Sequence, residues 1–243
     1  MKGELHIGTS GWHYKHWLGT FYPAGTKASE QLGLYTQLFK TVEINNTFYR
    51  VPSKETFSKW ADAVPDDFIY VVKANRLITH FKKLSNTSDD VHSFLDNASA
   101  LGTKLGPILF QLPPGLKIDT VLLEDFMKHL PKGYRYAFEF RNHTWYDENV
   151  YQLLDEYKCA FCIYQLAGHL SPIMATGNFV YLRLHGPGGK YQGSYSDEQL
   201  GYWADKCREW LKEKDVYVYF DNDEKGYAGF NALRLIELTS ANV

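Results

Sequence analysis

Eight short apolar runs alternate with helical patterns along this chain, and that alternation restricts its fold more than any other feature. The runs are rich in Val, Ile, Phe and Tyr, as buried strands are, and they occupy residues 5–9, 41–45, 68–73, 107–111, 135–140, 159–164, 179–185 and 216–222. Most are followed by apolar residues at every third or fourth position, the spacing of an amphipathic helix. Eight units in 243 residues leave about 30 residues for each, as in a (β/α)8 barrel of the TIM type.

Capping side chains mark where the helices begin. They precede five of the helical patterns, at Ser29, Ser88, Asp119, Asp147 and Ser196. Ser196 and Gln199 together have the spacing of a capping box. Residues 165–178, after the sixth strand, show no clear helical pattern. We therefore predict an α/β protein with a single TIM-type barrel domain over residues 1–243, in which the sixth helix is weak or missing.

An open, doubly wound sheet is the rival fold. That fold usually carries a glycine-rich phosphate loop, G-x-G-x-x-G, after its first strand. Here residues 8–12 read Gly-Thr-Ser-Gly-Trp, which does not fit the pattern. The sequence therefore favours the barrel.

Composition excludes several classes of protein. The formal charge is −2 and 44% of the residues are hydrophobic, figures that argue against collagen, coiled coil and disorder. A pI near 6.5 makes nucleic acid an unexpected partner, because phosphate binding normally needs a basic surface. No run approaches the roughly 20 apolar residues that span a bilayer, and residues 1–6 lack the apolar core of a signal peptide. We expect a cytoplasmic protein that does not enter the membrane, and the sequence leaves its oligomeric state open.

Cys159 and Cys162 form a C-x-x-C pattern inside the sixth strand run. Residues three apart on a strand point to opposite faces, whereas a redox pair needs a helix start to lower a thiol pKa. No second C-x-x-C completes a four-cysteine zinc site. We interpret both cysteines as packing residues.

Polar side chains stand at the carboxyl ends of most predicted strands, where a TIM-type barrel has its active site. Strand parity places three pairs on common faces: Glu43 with Asn45, Glu139 with Arg141, and Arg183 with His185. Other strands end in Lys73, Gln111, Asp221 and Asn222, and the nearby loops add Thr9, Ser10, Trp12, Tyr49, Arg50, Thr79, His80 and Trp145. Buried charges are costly without partners, so their convergence predicts a pocket at the mouth of the barrel.

The residue types suggest roles in that pocket. We predict Glu43, Lys73, Glu139 and His185 as catalytic residues, with a glutamate as general base and His185 or Lys73 as its acid partner. Arg141 and Arg183 suit a phosphate or carboxylate group. The remaining predicted substrate-binding residues are Thr9, Ser10, Trp12, Asn45, Tyr49, His80, Gln111, Trp145 and Asn222. The expected ligand is a small anionic or sugar-like molecule, and no cofactor is expected.

At these positions the sequence resembles a known family, the domain-of-unknown-function-72 or YecE-like proteins. The matching segments are GTSGW at 8–12, WLGTFYP at 17–23, VEINNTFY at 42–49, VK at 72–73 with ITH at 78–80, GPILFQLPP at 106–114, FEFR at 138–141 with Trp145, YLRLHG at 181–186 and YFDND at 219–223. They run in order through nearly the whole chain. The resemblance implies a TIM-type barrel and no particular activity.

The chain departs from the expected family pattern at one point. The resemblance implies an aspartate after the sixth strand, but residues 163–165 read Ile-Tyr-Gln. Either the chemistry of this member differs, or Asp221 or Asp223 takes the place of that acid.

Three other functions remain open. Glu43, Glu139, His185 and Asp221 could ligate Mg²⁺ or Mn²⁺ in a metal-dependent isomerase or hydrolase, although Lys73 and the two arginines would repel the cation. Lys73 could instead form a Schiff base, but a buried lysine is more readily explained by an ion pair with Glu43 or a contact with Gln111. The third function is non-catalytic binding of an oligosaccharide or single-stranded nucleic acid by stacking on Trp12, Trp17 and Trp145.

Overall fold

The computed structural model describes residues 3–240. Its nine strands are β1 (Leu5–Thr9), β2 (Thr41–Ile44), β3 (Ile69–Lys73), β4 (Leu105–Leu112), β5 (Tyr136–Phe140), β6 (Ala160–Leu166), β7 (His169–Leu170), β8 (Phe179–Leu184) and β9 (Asp215–Phe220). Its seven α-helices are α1 (Ala28–Thr36), α2 (Lys54–Asp62), α3 (Ser88–Ala98), α4 (Thr120–Lys128), α5 (Glu148–Glu156), α6 (Asp197–Trp210) and α7 (Tyr227–Ser240).

The long strands form a nearly closed barrel of eight parallel strands with helices between them, which confirms the predicted TIM-type fold. Their order in the sheet is β1-β9-β8-β6-β5-β4-β3-β2, and β7 pairs only with β6. A parallel bridge from Ser10 to Glu43 links the two strands at the ends of this order. The prediction of one domain over residues 1–243 stays a prediction.

The positions of the strands and of most helix starts agree with the sequence prediction, because the residues that favour each element locally are also the ones that it buries. Every predicted strand coincides with an observed one, with boundaries that differ by two residues at most. Asp119, Asp147 and Ser196 cap their helices as predicted, whereas the caps of α1 and α3 lie earlier, at Lys27 and Thr87.

Residues 165–178, all of which the structure describes, contain no helix, so the missing sixth helix is confirmed. The chain instead turns back from β6 into β7, an antiparallel pair in which Gln165 faces Leu170. Met1 and Lys2, at the start of the segment that lacks a signal-peptide pattern, lie outside the described residues. Every helix within residues 3–240 is too short or too polar to span a lipid bilayer.

Contacts divide the chain into two compact units. The first unit comprises Met1–Glu43, Ile163–Ile173 and Phe179–Val243. In it β9 pairs in parallel with both β1 and β8, and α6 packs on α7. Gly8 allows β1 to approach the chain at Thr41, because a Cβ atom at this position would lie 2.3 Å from the Thr41 carbonyl oxygen.

The second unit comprises Ile44–Cys162 and Met174–Asn178. In it β4 pairs in parallel with β3 and β5. Its core is strongly aromatic: the rings of Phe110 and Phe138 are stacked 5.4 Å apart, and those of Phe140 and Trp145 are 4.8 Å apart. Large buried rings of this kind supply much of the apolar area that stabilises a core.

All three cysteines are free and buried, in agreement with the packing interpretation. Burial raises the pKa of the Cys159 thiol to about 12. A thiol in that state stays protonated near neutral pH, which is the opposite of what a redox cysteine needs.

Candidate active site

A cluster of ionisable side chains in the second unit begins where β4 and β5 end. Gln111 and Glu139 face each other in the strand register, so their side chains leave the sheet on the same face. The Gln111 Nε2 atom donates a hydrogen bond of 2.8 Å to the Glu139 Oε1 atom. Glu139 is completely buried, and this amide is one of the donors that compensate for its lost hydration.

Arg141 follows Glu139 by two residues and lies on the same face. Its guanidinium group contacts the Glu139 carboxylate. The Cys162 Sγ atom approaches the other carboxylate oxygen at 3.8 Å, which is a weak thiol contact. Gln111 and Arg141 thus both contact the Oε1 atom of Glu139.

Lys73, the last residue of β3, is only 9% exposed. Its ammonium group lies 4.5 Å from the ring centroid of Phe48, within the range of a cation–π interaction. The Thr47 hydroxyl donates a 2.6 Å hydrogen bond to the Lys73 carbonyl oxygen. These contacts fix the end of β3 against the turn that follows β2.

His80 lies in a single π-helical turn, Leu77–Phe81, that follows β3. Its Nδ1 atom is 2.9 Å from the Thr79 hydroxyl, and its ring packs edge-on against Phe48 with centroids 4.9 Å apart. Burial lowers the pKa of His80, and the nearby charges of Lys73 and Arg76 lower it further, while Glu139 opposes the shift. The imidazole is therefore mainly neutral at pH 7.

The charge of this second-unit cluster favours anions. It contains three cations, Lys73, Arg76 and Arg141, against the single carboxylate of Glu139, a formal charge of +2 when His80 is neutral. Fixed positive charge in a partly buried site raises the local concentration of anionic ligands.

A cluster in the first unit is built around Glu43. The Arg183 guanidinium donates hydrogen bonds of 2.6 Å and 3.2 Å to its Oε1 atom and of 3.0 Å to its Oε2 atom. The Ser10 and Tyr181 hydroxyl groups each donate a 2.6 Å bond to the same carboxylate. Four donor atoms thus surround the Glu43 carboxylate, so most of its lone pairs already accept hydrogen bonds from the protein.

His185 and Asp221 complete the first-unit cluster. The His185 Nδ1 atom lies 2.9 Å from the Asp221 Oδ2 atom, and its Nε2 atom lies 3.3 Å from the Arg183 Nη1 atom. Because arginine can only donate, Nε2 accepts and Nδ1 carries the proton toward Asp221. This arrangement fixes one neutral tautomer of a completely buried histidine.

Asp223 adds a further acidic group beside the first-unit cluster. Its carboxylate lies 3.2 Å from the His16 Nε2 atom. Burial raises the pKa of Asp223, and the charge of Asp221 raises it further. With Glu43, Asp221 and Asp223 against Arg183, the first-unit cluster is acidic, opposite in sign to the second-unit cluster.

Other predicted site residues make hydrogen bonds within the protein. Trp145 is completely buried, and its indole N–H donates to the Leu116 carbonyl at 2.8 Å. The Thr9 hydroxyl donates to the Gly11 carbonyl at 2.6 Å, and the Trp12 carbonyl accepts from the Tyr22 hydroxyl at 2.7 Å.

The two predicted asparagines differ in their contacts. The Asn222 side chain donates to Gly193 at 2.8 Å and to Asn231 at 2.9 Å. The Asn45 Oδ1 atom is buried and has no hydrogen-bond partner within residues 3–240.

Tyr49, another predicted binding residue, is 67% exposed.

Sequence reasoning missed four contributors to these clusters: Phe48 as the partner of Lys73, and Arg76, Phe81 and Tyr181. Tyr181 could have been found, because it shares strand parity with Arg183 and His185. Arg76 and Phe81 depend on the π-helical turn after β3, for which the sequence has no periodic signal.

The position where the family pattern implies an aspartate is part of β6. The corresponding stretch is residues 163–165, and the Gln165 backbone carbonyl accepts a 2.9 Å hydrogen bond from the His185 amide. Within residues 3–240, no group of three or more His, Cys, Asp or Glu side chains is arranged to hold a metal ion.

The fold and these clusters define a TIM-type barrel protein with ionisable groups at the carboxyl ends of its strands. The chain belongs to the family described as "Protein of unknown function DUF72", whose model matches residues 6–243. This match confirms the resemblance drawn from the sequence motifs.

Individual relatives agree with this assignment. The chain is 27% identical to the UPF0759 protein YunF of Bacillus subtilis over 96% of this chain and 94% of that protein. It is 29% identical to the UPF0759 protein YecE of Escherichia coli over 57% of this chain and 48% of that protein. The crystal structure of a DUF72 family protein from Thermotoga maritima superposes with a TM-score of 0.88 at 29% identity, covering 97% of this chain and 98% of that one.

Proposed function

We propose that the protein is an enzyme that transfers protons on a small anionic or sugar-like metabolite, without a metal ion, at the second-unit cluster. One observation carries this proposal: a mainly neutral, half-buried imidazole, His80, lies in the electrostatic reach of both the buried Glu139 carboxylate and the Lys73 ammonium group. Groups whose surroundings push their pKa values away from the ordinary range are typical of catalytic sites.

The cations of this cluster are suited to hold the anionic group of a substrate. Arg141 already contacts Glu139, and Lys73 lies over Phe48 with a little of its surface exposed. A phosphate or carboxylate group that binds here gains charge-assisted hydrogen bonds, which are stronger than neutral ones.

His80 and Glu139 are the groups that would move the proton. A neutral imidazole with a lowered pKa accepts a proton near neutral pH and returns it readily. Glu139 lies within the electrostatic reach of His80, so its carboxylate is the group that we propose accepts a second proton.

Glu43 and His185 remain predicted catalytic residues of the first unit. Their geometry supports the role less well, because the Glu43 carboxylate already accepts from four donor atoms and the His185 Nε2 atom accepts from Arg183. In the proposed reaction they hold Arg183 and Asp221 in place.

The experiment is a search for proton transfer in deuterated water. The purified chain is incubated with phosphorylated and carboxylated sugars, and proton NMR follows loss of carbon-bound hydrogen signals or appearance of a product. We expect at least one compound to react, and His80→Gln to slow the reaction at least 100-fold, the lower range of general acid–base catalysis.

His92→Gln is the matched control, because His92 lies on the exposed side of α3 and outside the cluster. It should react at the wild-type rate. If anions bind but no compound reacts, the protein is a binding protein and the enzymatic proposal is wrong. If turnover depends on added Mg²⁺ or Mn²⁺, the metal-independent form is wrong.

A further inference from the structure

Two large aromatic side chains of the second unit are left open to solvent beside the second-unit cluster. Tyr49 is 67% exposed and Phe81 is 66% exposed. The Arg76 guanidinium lies over both rings, 5.5 Å from the centroid of Tyr49 and 5.4 Å from that of Phe81. We call Tyr49, Arg76 and Phe81 the aromatic–arginine platform.

Single exposed aromatic residues are common and need no special explanation. Here two of them share one cation, and the cation–π contacts hold the three side chains in a common arrangement. Phe81 also ends the π-helical turn that carries His80. Such turns are rare and occur frequently at functional sites.

Phe48 joins the platform to the second-unit cluster. Its ring packs edge-on against Tyr49 with centroids 5.1 Å apart and against His80 at 4.9 Å. The same ring lies under the Lys73 ammonium group. A ligand whose anionic group contacts Lys73 therefore has an aromatic surface next to it.

We propose that the aromatic–arginine platform binds a planar ring of the substrate, and that the substrate is a phosphorylated or carboxylated compound carrying an aromatic heterocycle, of the nucleoside monophosphate type. This inference rests on the proposed function, since the same cluster binds the anionic group. Planar rings stack on tyrosine, phenylalanine and arginine side chains without needing a matched hydrogen-bond pattern.

The test compares adenosine 5′-monophosphate with ribose 5-phosphate, which has a hydroxyl group in place of the aromatic base, by titration calorimetry with the full chain. We expect the nucleotide to bind about 10-fold more tightly, which corresponds to about 1.4 kcal/mol of stacking. Tyr49→Ala and Phe81→Ala should each reduce this preference, and the double variant should remove it. Affinity for ribose 5-phosphate should stay within about twofold in all of them.

Tyr202→Ala is the matched control, because Tyr202 is 45% exposed on α6 and belongs to the first unit. The Tyr202→Ala variant should keep the full preference for the nucleotide over ribose 5-phosphate. Tyr49→Phe should keep it as well, because the aromatic ring remains. Equal affinity of the wild type for both probes, or a preference that survives in the double variant, would overturn the platform while leaving the proposed function intact. If neither probe nor inorganic phosphate binds, the proposed function fails and the platform proposal fails with it.

Discussion

Arg183 and Glu43 form a buried pair in which the guanidinium donates three hydrogen bonds, of 2.6, 3.0 and 3.2 Å, to one carboxylate. Both side chains are essentially inaccessible to solvent. The strands β8 and β2 carry these residues, and the pair neutralises two charges that would be costly in isolation. The Arg183 guanidinium is therefore occupied within the protein, and our proposal assigns anion binding to Lys73 and Arg141 instead.

Removing one member of this pair should be severely destabilising. Arg183→Met should lower the free energy of unfolding by about 3–5 kcal/mol, because it leaves Glu43 buried without its cation. The double variant Arg183→Met/Glu43→Met should lose less than the sum of the single variants. Guanidinium denaturation gives all three values.

An exposed pair provides the comparison. Arg234 bonds bidentately to Asp197, but the two side chains are 41% and 68% exposed. Arg234→Met should cost less than about 1 kcal/mol. If Arg183→Met and Arg234→Met lowered the free energy of unfolding equally, the buried pair of Arg183 and Glu43 would not be what stabilises the first-unit cluster.

The pKa of His80 should shift in opposite directions when each of its two charged neighbours, Lys73 and Glu139, is replaced by a neutral residue. Lys73→Met should raise the pKa of His80, because a repelling cation is removed, and Glu139→Gln should lower it, because an attracting carboxylate is removed. Proton NMR of the imidazole Cε1–H signal measures both. Shifts of the same sign would contradict the placement of these residues.

The lowered pKa of His80 also fixes the sign of its contribution to stability. Between the folded pKa and the ordinary value of 6.5, the unfolded chain binds more protons than the folded chain. The contribution is thus present above pH 6.5 and lost as the pH falls toward the folded pKa. His80→Gln should make unfolding less sensitive to pH in that window.

Two glycine-to-alanine substitutions should change the stability of the protein in opposite directions. Gly8→Ala places a Cβ atom 2.3 Å from the Thr41 carbonyl oxygen, so it should destabilise the protein by about 1–3 kcal/mol. Gly33 lies inside α1 with open space around it, and Gly33→Ala should stabilise by about 0.5–1 kcal/mol. Thermal unfolding of both variants checks this, and a Gly8→Ala variant as stable as Gly33→Ala would rule out the close approach.

The cysteines should be unreactive in the folded state. Burial raises the pKa of the Cys159 and Cys207 thiols to about 12, so neither forms an appreciable amount of thiolate near neutral pH. Ellman's reagent should label all 3 cysteines only after denaturation. A thiol that reacts rapidly in the native protein would revive the redox interpretation of Cys159 and Cys162.

The fold was predictable because each element carries its own signal. Strands are marked by apolar runs, and helix starts by capping residues such as Asp119 and Ser196. Residues 165–178 lack a helical pattern and form no helix. These signals are local in the sequence, and burial of the apolar residues stabilises the same elements. Strand parity also predicted that Glu139 and Arg141 share a face, and their side chains are in contact.

The partners within each cluster were harder to predict. Strand parity put Arg183 on an inner face, but only the folded chain shows that Glu43 occupies its guanidinium. Arg76 and Phe81 depend on a π-helical turn whose irregular backbone leaves no periodic pattern. Trp145 looked like a binding residue from its loop position, yet it packs in the core on Phe140.

Titration of His80 with and without sulfate, at constant ionic strength, measures whether the second-unit cluster binds anions beside His80. Sulfate keeps its charge over the relevant pH range, and an anion near an imidazole stabilises its protonated form. We predict that sulfate raises the pKa of His80 and that the His92 signal does not respond. Lys73→Met should abolish the effect, whereas Lys59→Met should preserve it, because Lys59 is an exposed residue of α2. A pKa of His80 that is unchanged by saturating sulfate, or raised equally in the Lys73→Met variant, would show that the cluster does not bind anions through Lys73.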